Sequence, residues 1–190
     1  MRPIMILAVL AALLPMGLLA QASGQSRAAL ESAFEGMRAE NWAAATRSAR
    51  AAGPIGEAII EWHRLRAKEG SFAEAQAFLA RYPDWPGLPY LKQRSEHAIP
   101  SRAAPADVLA FFADQSPRTG TGALRFADAL ERSGQPEAAR QERVRAWATL
   151  SLTSEEEADF LARHRDAIAP HHRTRTDMLL WRGLTGQAAR

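Results

Sequence analysis

The chain has 190 residues, 47% of them apolar, 24% charged and 7% aromatic. That is long enough for one domain or two small ones, too apolar for a disordered chain, and poor in aromatics for an all-β one. The net charge of +3 is scattered, and Lys occurs only at 68 and 92, so the clustered basic stripe of a nucleic-acid binder is missing. With no cysteine, a lipoprotein, a disulfide framework and a thiolate metal site are excluded.

The chain opens with Arg2, then an unbroken apolar run from Ile4 to Leu14. Pro15 and Gly17 interrupt it, and Ala20-Gln21-Ala22 has the small-x-small pattern of a cleavage site. Residues 1–22 therefore read as a secretory signal peptide, cut after Ala22, rather than an anchor helix. The expected mature protein, 23–190, is exported to the periplasm, has no membrane span and is held together by packing alone.

From Ser23 onward the period is helical. Ile55, Ile59, Trp62 and Leu65 fall on one helix face, as do Phe72, Ala75, Leu79 and Tyr82. Ala123, Ala127 and Leu130 repeat the pattern, and so do Val144, Trp147 and Leu150. No stretch alternates long enough for a strand. Ser71-Phe-Ala-Glu74 and Thr153-Ser-Glu-Glu156 are capping boxes. Gly53, Gly70, Gly134 and Gly186 mark helix ends, and Pro54, Pro105 and Pro136 mark first turns.

Three joints share one logic: "AENWAAA" (39–45), "KEGSFAEA" (68–75) and "RSGQPEAA" (132–139). Each passes from a polar helix end through a short turn to a helix carrying Ala at a fixed offset, at positions 45, 75 and 139. Such spacing is that of stacked helix-turn-helix units. The expected fold is all-α: an α-superhelix or solenoid of tetratricopeptide-like units, about ten helices, each pair stabilised mainly by its neighbours. The last unit, "MLLWRGLTGQAAR", turns at Gly186 and reads as half built, so the parent chain is expected to continue past Arg190.

The candidate chemistry is sparse. Glu155, Glu156 and Glu157 are the densest acids, but a helix's first turn favours negative charge, so they read as caps, as do Glu74 and Glu137. A glycosidic acid needs an apolar pocket, and no acid stands in a run that promises one. The histidines are His63, His97, His164, His171 and His172. Neighbours on a helix point about 100° apart, so His171 and His172 do not share an ion easily. They read as the start of a helix. "RTGTG" (118–122) lacks the Lys and the preceding strand of a phosphate loop, so Thr119 or Thr121 reads as an N-cap. Trp62, Trp147 and Trp181 read as core, Trp42 as a repeat's turn-facing aromatic, and Trp85 as the cover of a corner made by Pro83, Pro86 and Pro89. There Pro83 stops one helix at Tyr82, and Asp84 or Gly87 begins the next. Dispersed Arg side chains read as a solvated face.

"FLARYPDWPGLPYLKQRSE" (78–96), "VLAFFADQSPRTGTGALRFADAL" (108–130), "SLTSEEEADFLARH" (151–164) and "RTRTDMLLWRGLTGQAAR" (173–190) together resemble, in that order, the N-terminal helical region of soluble lytic murein transglycosylases, of the type found in alphaproteobacteria. The resemblance covers roughly 25–190. It implies a periplasmic enzyme that cleaves the bond between N-acetylmuramic acid and N-acetylglucosamine in peptidoglycan, without water, to a 1,6-anhydro product. It also implies a long α-superhelix leading to a C-terminal lysozyme-like domain, with a catalytic Glu followed by Ser and, further on, a Gly-Leu-Met-Gln-like stretch. No Met-Gln pair occurs here, so that domain is expected to be absent. No catalytic, cofactor-binding or metal-binding residue is assigned, and no cofactor. The implied partner is peptidoglycan, met through the parent enzyme, with periplasmic proteins as further partners. Two other readings stand beside this one: a free-standing periplasmic helical-repeat module that binds proteins, and a peptidoglycan-binding module acting without an attached enzyme.

Overall fold

The structure, a computed structural model, describes residues 16–190, with side chains from Gly24 onward. The expected signal peptide falls mostly outside the described residues. Among these, eleven α-helices and two short 3-10 turns (96–98 and 169–171) follow one another with no strand. The helices are α1 (Met16–Arg38), α2 (Trp42–Ala51), α3 (Pro54–Arg66), α4 (Phe72–Arg81), α5 (Leu88–Ser95) and α6 (Pro105–Phe111). Then come α7 (Gly120–Arg132), α8 (Pro136–Thr149), α9 (Ser154–Ile168), α10 (His172–Trp181) and α11 (Thr185–Ala188). No described helix is long and apolar enough to cross a membrane. The chain forms two compact units, which meet inside α3 at residues 60 and 61.

The all-α solenoid expected from the sequence is the fold observed, and its repeat is visible in the turns. After α1, α3, α7 and α10 the chain passes through one left-handed residue: Glu40 (φ 54°), Lys68 (φ 71°), Gly134 (φ 76°) and Gly183 (φ 71°). At each joint the following amide reaches back five residues, Asn41 to Gly36, Glu69 to Arg64, Gln135 to Leu130 and Leu184 to Leu179. That is the Schellman closure of a helix end, which satisfies carbonyls the helix leaves unpaired. Two expected positions are corrected. The turn after α3 is made at Lys68 rather than Gly70, and the last turn at Gly183, with Gly186 inside α11. Lys68 holds a backbone conformation that strains a residue with a Cβ. Lys68→Gly is therefore expected to stabilise the protein by about 0.5–1 kcal/mol in a urea melt. A loss of stability would contradict this account.

The repeated alanines occupy matching buried positions. Ala45, Ala75 and Ala139 each stand fourth in their helix, and each is fully buried. In the first unit Ala45 lies so close to Gly36 that a Cβ on Gly36 would come within 2.8 Å of the Ala45 amide nitrogen. Around that contact Ala33, Ala49 and Ile60 complete a small core.

In the second unit α4 packs on α5, α6 on α7, α7 on α8, and α8 on both α9 and α10. Ser71 and Thr153 form the expected capping boxes, with Glu74 and Glu156 as the returning carboxylates. Glu74 also receives Arg64, and this bond, the leading cause, holds its carboxyl down to about 2. Its contribution to stability is present above the ordinary value of 4.5 and fades as pH falls through the lowered one. The periodicity misplaced some side chains. Ile55 is 74% exposed, while Ala58, Ile60 and Phe78 are buried. α9 also breaks at His164 (φ −137°, ψ 23°).

The three-proline segment is a corner, as its chemistry predicts. Tyr82 ends α4, Gly87 (φ 73°) stands at the N-cap of α5, and Pro89 lies in the first turn. Trp85 covers the joint, its ring 5.7 Å from that of Phe78 and 5.1 Å from that of Tyr82. Leu65, Ala75 and Leu91 lie beneath. Trp85→Ala is expected to destabilise the fold by about 2 kcal/mol, less than a fully buried Trp because the ring is only half-buried. An unchanged melt would show that the ring is not part of the joint's packing.

Candidate functional site

Two places in the second unit gather buried charge. The first is the N-terminal end of α7, where the sequence offered a weak phosphate-loop pattern. Thr119 is the N-cap, its Oγ1 accepting from the Gly122 amide at 3.0 Å. The other amides there are taken by carboxylates from distant segments. Glu96, with 0% exposure, accepts from the Arg118 amide (2.9 Å), the Thr119 amide (2.8 Å) and the Thr119 hydroxyl (2.6 Å). Glu156 accepts from the Thr121 amide at 2.7 Å while its other oxygen closes the cap of α9 at the Thr153 amide. A helix N-terminus attracts anions, and here the protein fills it with its own. Gly120 and Gly122 make room: a Cβ on Gly120 would come within 2.8 Å of the Glu156 carboxyl carbon, and one on Gly122 would overlap the Glu96 carboxylate. Arg145, paired with Glu142 at 2.6 Å, also donates to the Pro117 carbonyl and steadies the loop.

Burial is the main cause that pushes the Glu96 carboxyl above its ordinary value, with the Glu156 charge adding to it. The Thr119 hydroxyl and the two amides pull the other way and do not win. A raised, buried carboxyl is the property a glycosidic acid needs. Glu96, however, is held by the Arg118 and Thr119 amides just ahead of α7 and by the Thr119 hydroxyl, so its oxygens are committed to structure. The sequence promised no acid a closed apolar pocket, and Glu96 is enclosed by amides and a hydroxyl instead. The missed signal was Glu96 beside a helix end, with glycines at 120 and 122 that only a close approach would require.

The second place is a cleft of about 390 Å³ walled by α8, α9, α10 and α11. Arg175, 4% exposed, lies over the Trp147 ring at 4.4 Å and donates to the Trp147 and Leu150 carbonyls, both at 3.1 Å. It also reaches Glu157 Oε2 at 3.4 Å, and Arg190 reaches the same oxygen at 3.2 Å. Glu157 is thus no simple cap: it is buried and central to an ion triad, unlike the reading of 155–157 as a first-turn cluster.

Of the other predicted residues, Trp147 and His172 line this cleft and the rest lie apart from both places. His171 precedes α10 and His172 opens it, with the His172 ring edge-on to Trp147 at 5.2 Å. Burial lowers His63 and His164 below the ordinary histidine value, with nearby Arg charges adding to it. Among the described residues no group of three or more His, Asp or Glu could hold a metal ion. Glu137 pairs with Arg140 at 2.7 Å on the surface. Trp147 is core at 2% exposure and Trp62 is half-buried. Trp181, expected in the core, is 93% exposed, because α10 turns Arg175 and Leu179 inward instead. A Glu-Ser pair occurs once, at Glu31-Ser32, and both residues are exposed on α1, with Glu31 paired to Arg27 at 3.4 Å.

No family model, curated protein or solved structure matches the chain.

Proposed function

We propose that this chain is the N-terminal helical scaffold of a periplasmic lytic transglycosylase, a part that shapes and positions rather than catalyses. The reading rests on the four sequence segments that resemble the family in order, and on the stacked helical repeat in which they lie. One observation favours a scaffold role above the rest. The most deeply buried acid, Glu96, spends its oxygens on the end of α7, so the buried charge there joins helices instead of facing a cleft. Residues 1–22 would export the chain, and peptidoglycan would be met through the parent enzyme.

The test has two arms. The gene's reading frame beyond Arg190 should encode a Glu-Ser pair and, further on, a Met-Gln stretch. A stop codon directly after Arg190 would sink the proposal. Incubated alone with purified sacculi, the chain should release no anhydro-muropeptides, and turnover would show an active site in this segment. A second reading, a free-standing module that binds periplasmic proteins, draws on Leu180 (52% exposed) and Trp181 on α10. Aromatic residues are enriched where proteins meet.

A further inference from the structure

We propose that His164 is a proton-operated hinge: when its ring is charged, the break in α9 opens and residues 165–168 leave the core of the second unit. This inference does not depend on the transglycosylase reading.

α9 is two helical pieces joined at His164, whose backbone (φ −137°, ψ 23°) leaves the helical range. A residue already off the helix absorbs a rotation that a helical one resists. The piece beyond the break is short. Ile168, fully buried in one core with Trp147, Leu152 and Phe160, holds it down.

The His164 ring stands at the break, edge-on to Phe160 with the centroids 6.5 Å apart. Charged groups act on it from three helices: Asp128 and Glu131 from α7, Arg143 from α8 and Arg163 from α9 itself. Those four are tied to one another. Arg143 reaches both carboxylates, Asp128 at 3.4 Å, and Arg163 reaches Asp128 at 3.2 Å. The Arg163 guanidinium also lies 3.5 Å from His164 Nε2. An arginine can only donate, so Nε2 accepts there, which requires the neutral ring with its proton on Nδ1. A proton added at Nε2 turns that acceptor into a donor facing Arg163. It also sets a third cation beside Arg143 and Arg163, whose charges the two carboxylates already engage.

Burial, the leading cause, keeps the imidazole below its ordinary value of 6.5, and Arg143 and then Arg163 add to it. Asp128 and Glu131 offset only part. With a lowered folded value, the contribution of His164 to stability is complete above 6.5 and is lost as pH falls through the lowered value. A charged ring is driven toward water and away from Phe160. The break is where the chain lets it go, and Ile168 follows.

The experiment follows amide hydrogen exchange along α9 at about pH 7.5 and about pH 5, corrected for the intrinsic effect of pH. At the lower pH, residues 165–168 should lose protection roughly tenfold relative to residues 154–163. His164→Gln keeps an acceptor and never charges, so it should show no such relative loss. Glu96 is present in both proteins, and its titration cancels in the comparison. A second variant leaves the histidine in place. Arg163→Gln removes a repelling cation and frees Asp128, so the midpoint of the His164 ring signal in an NMR titration, assigned through its cross-peaks to Phe160, should move upward. Protection of 165–168 that is the same at both pH values would overturn the proposal. So would an equal loss in His164→Gln, or a midpoint that Arg163→Gln leaves in place.

Discussion

Replacing Glu96 by alanine is expected to lower stability by about 3 kcal/mol, the largest loss from any single carboxylate in the chain. Three donors would lose their acceptor at once: the Arg118 amide, the Thr119 amide and the Thr119 hydroxyl. None could turn to water without opening the joint, because Glu96 is fully buried there. In a chain of this size that is a fall of about 6–12 °C in Tm. Glu96→Gln keeps the shape and one acceptor, so about 1 kcal/mol is expected at acid pH.

The Gln variant also gives a pH signature. Glu96 has a folded value above its ordinary 4.5. Its protonated form therefore contributes fully below 4.5, and that contribution is lost as pH rises through the folded value. A neutral amide does not titrate. The deficit of Glu96→Gln relative to wild type should accordingly shrink as pH rises from about 4 toward neutrality. Chemical melts of wild type and both variants at several pH values measure this. Alanine and glutamine variants of equal stability would mean that the carboxylate does not hold the α7 end as described, and a deficit that grows with pH would mean that its donors outweigh its burial.

The second large effect separates two tryptophans that the sequence cannot tell apart. Trp147→Ala should destabilise by about 4 kcal/mol. Its ring is 2% exposed, lies 6.1 Å from the Phe160 ring and carries Arg175 on its face. Truncation would leave a cavity beside Phe160 and take the stacking surface from a buried guanidinium. Trp181→Ala should stay within about 0.5 kcal/mol of wild type, as a surface change does. Urea melts of the two variants decide it. Similar losses would show that α10 presents its other face to the core.

The pair shows why pattern alone misplaces side chains. Both tryptophans stand in helices among apolar neighbours, Trp147 beside Ala146 and Trp181 beside Leu180. A helical period defines a stripe, but a short helix such as α10 offers more than one, and packing partners choose between them. Burial of Arg175 shifts the inward stripe of α10 to Arg175 and Leu179. The same reason explains Ile55, whose place was taken by Ala58 and Ile60.

What the sequence determined by itself is local. Caps at Ser71, Thr119 and Thr153, first-turn prolines at 54, 105 and 136, and alanines at 45, 75 and 139 act through atoms a few residues away. Their spacing is therefore written in the chain, and with it the helical repeat. Only the tertiary structure decided where charge is buried. Glu96 meets residues 118 and 119, Glu156 meets Thr121, and Arg175 meets Trp147, each across more than twenty positions. A buried carboxylate is tolerated because amides from another segment surround it, and no local pattern announces which segment that is. The glycines at 120 and 122 carried half of that information. They permit a close approach, while the folded chain alone names what approaches.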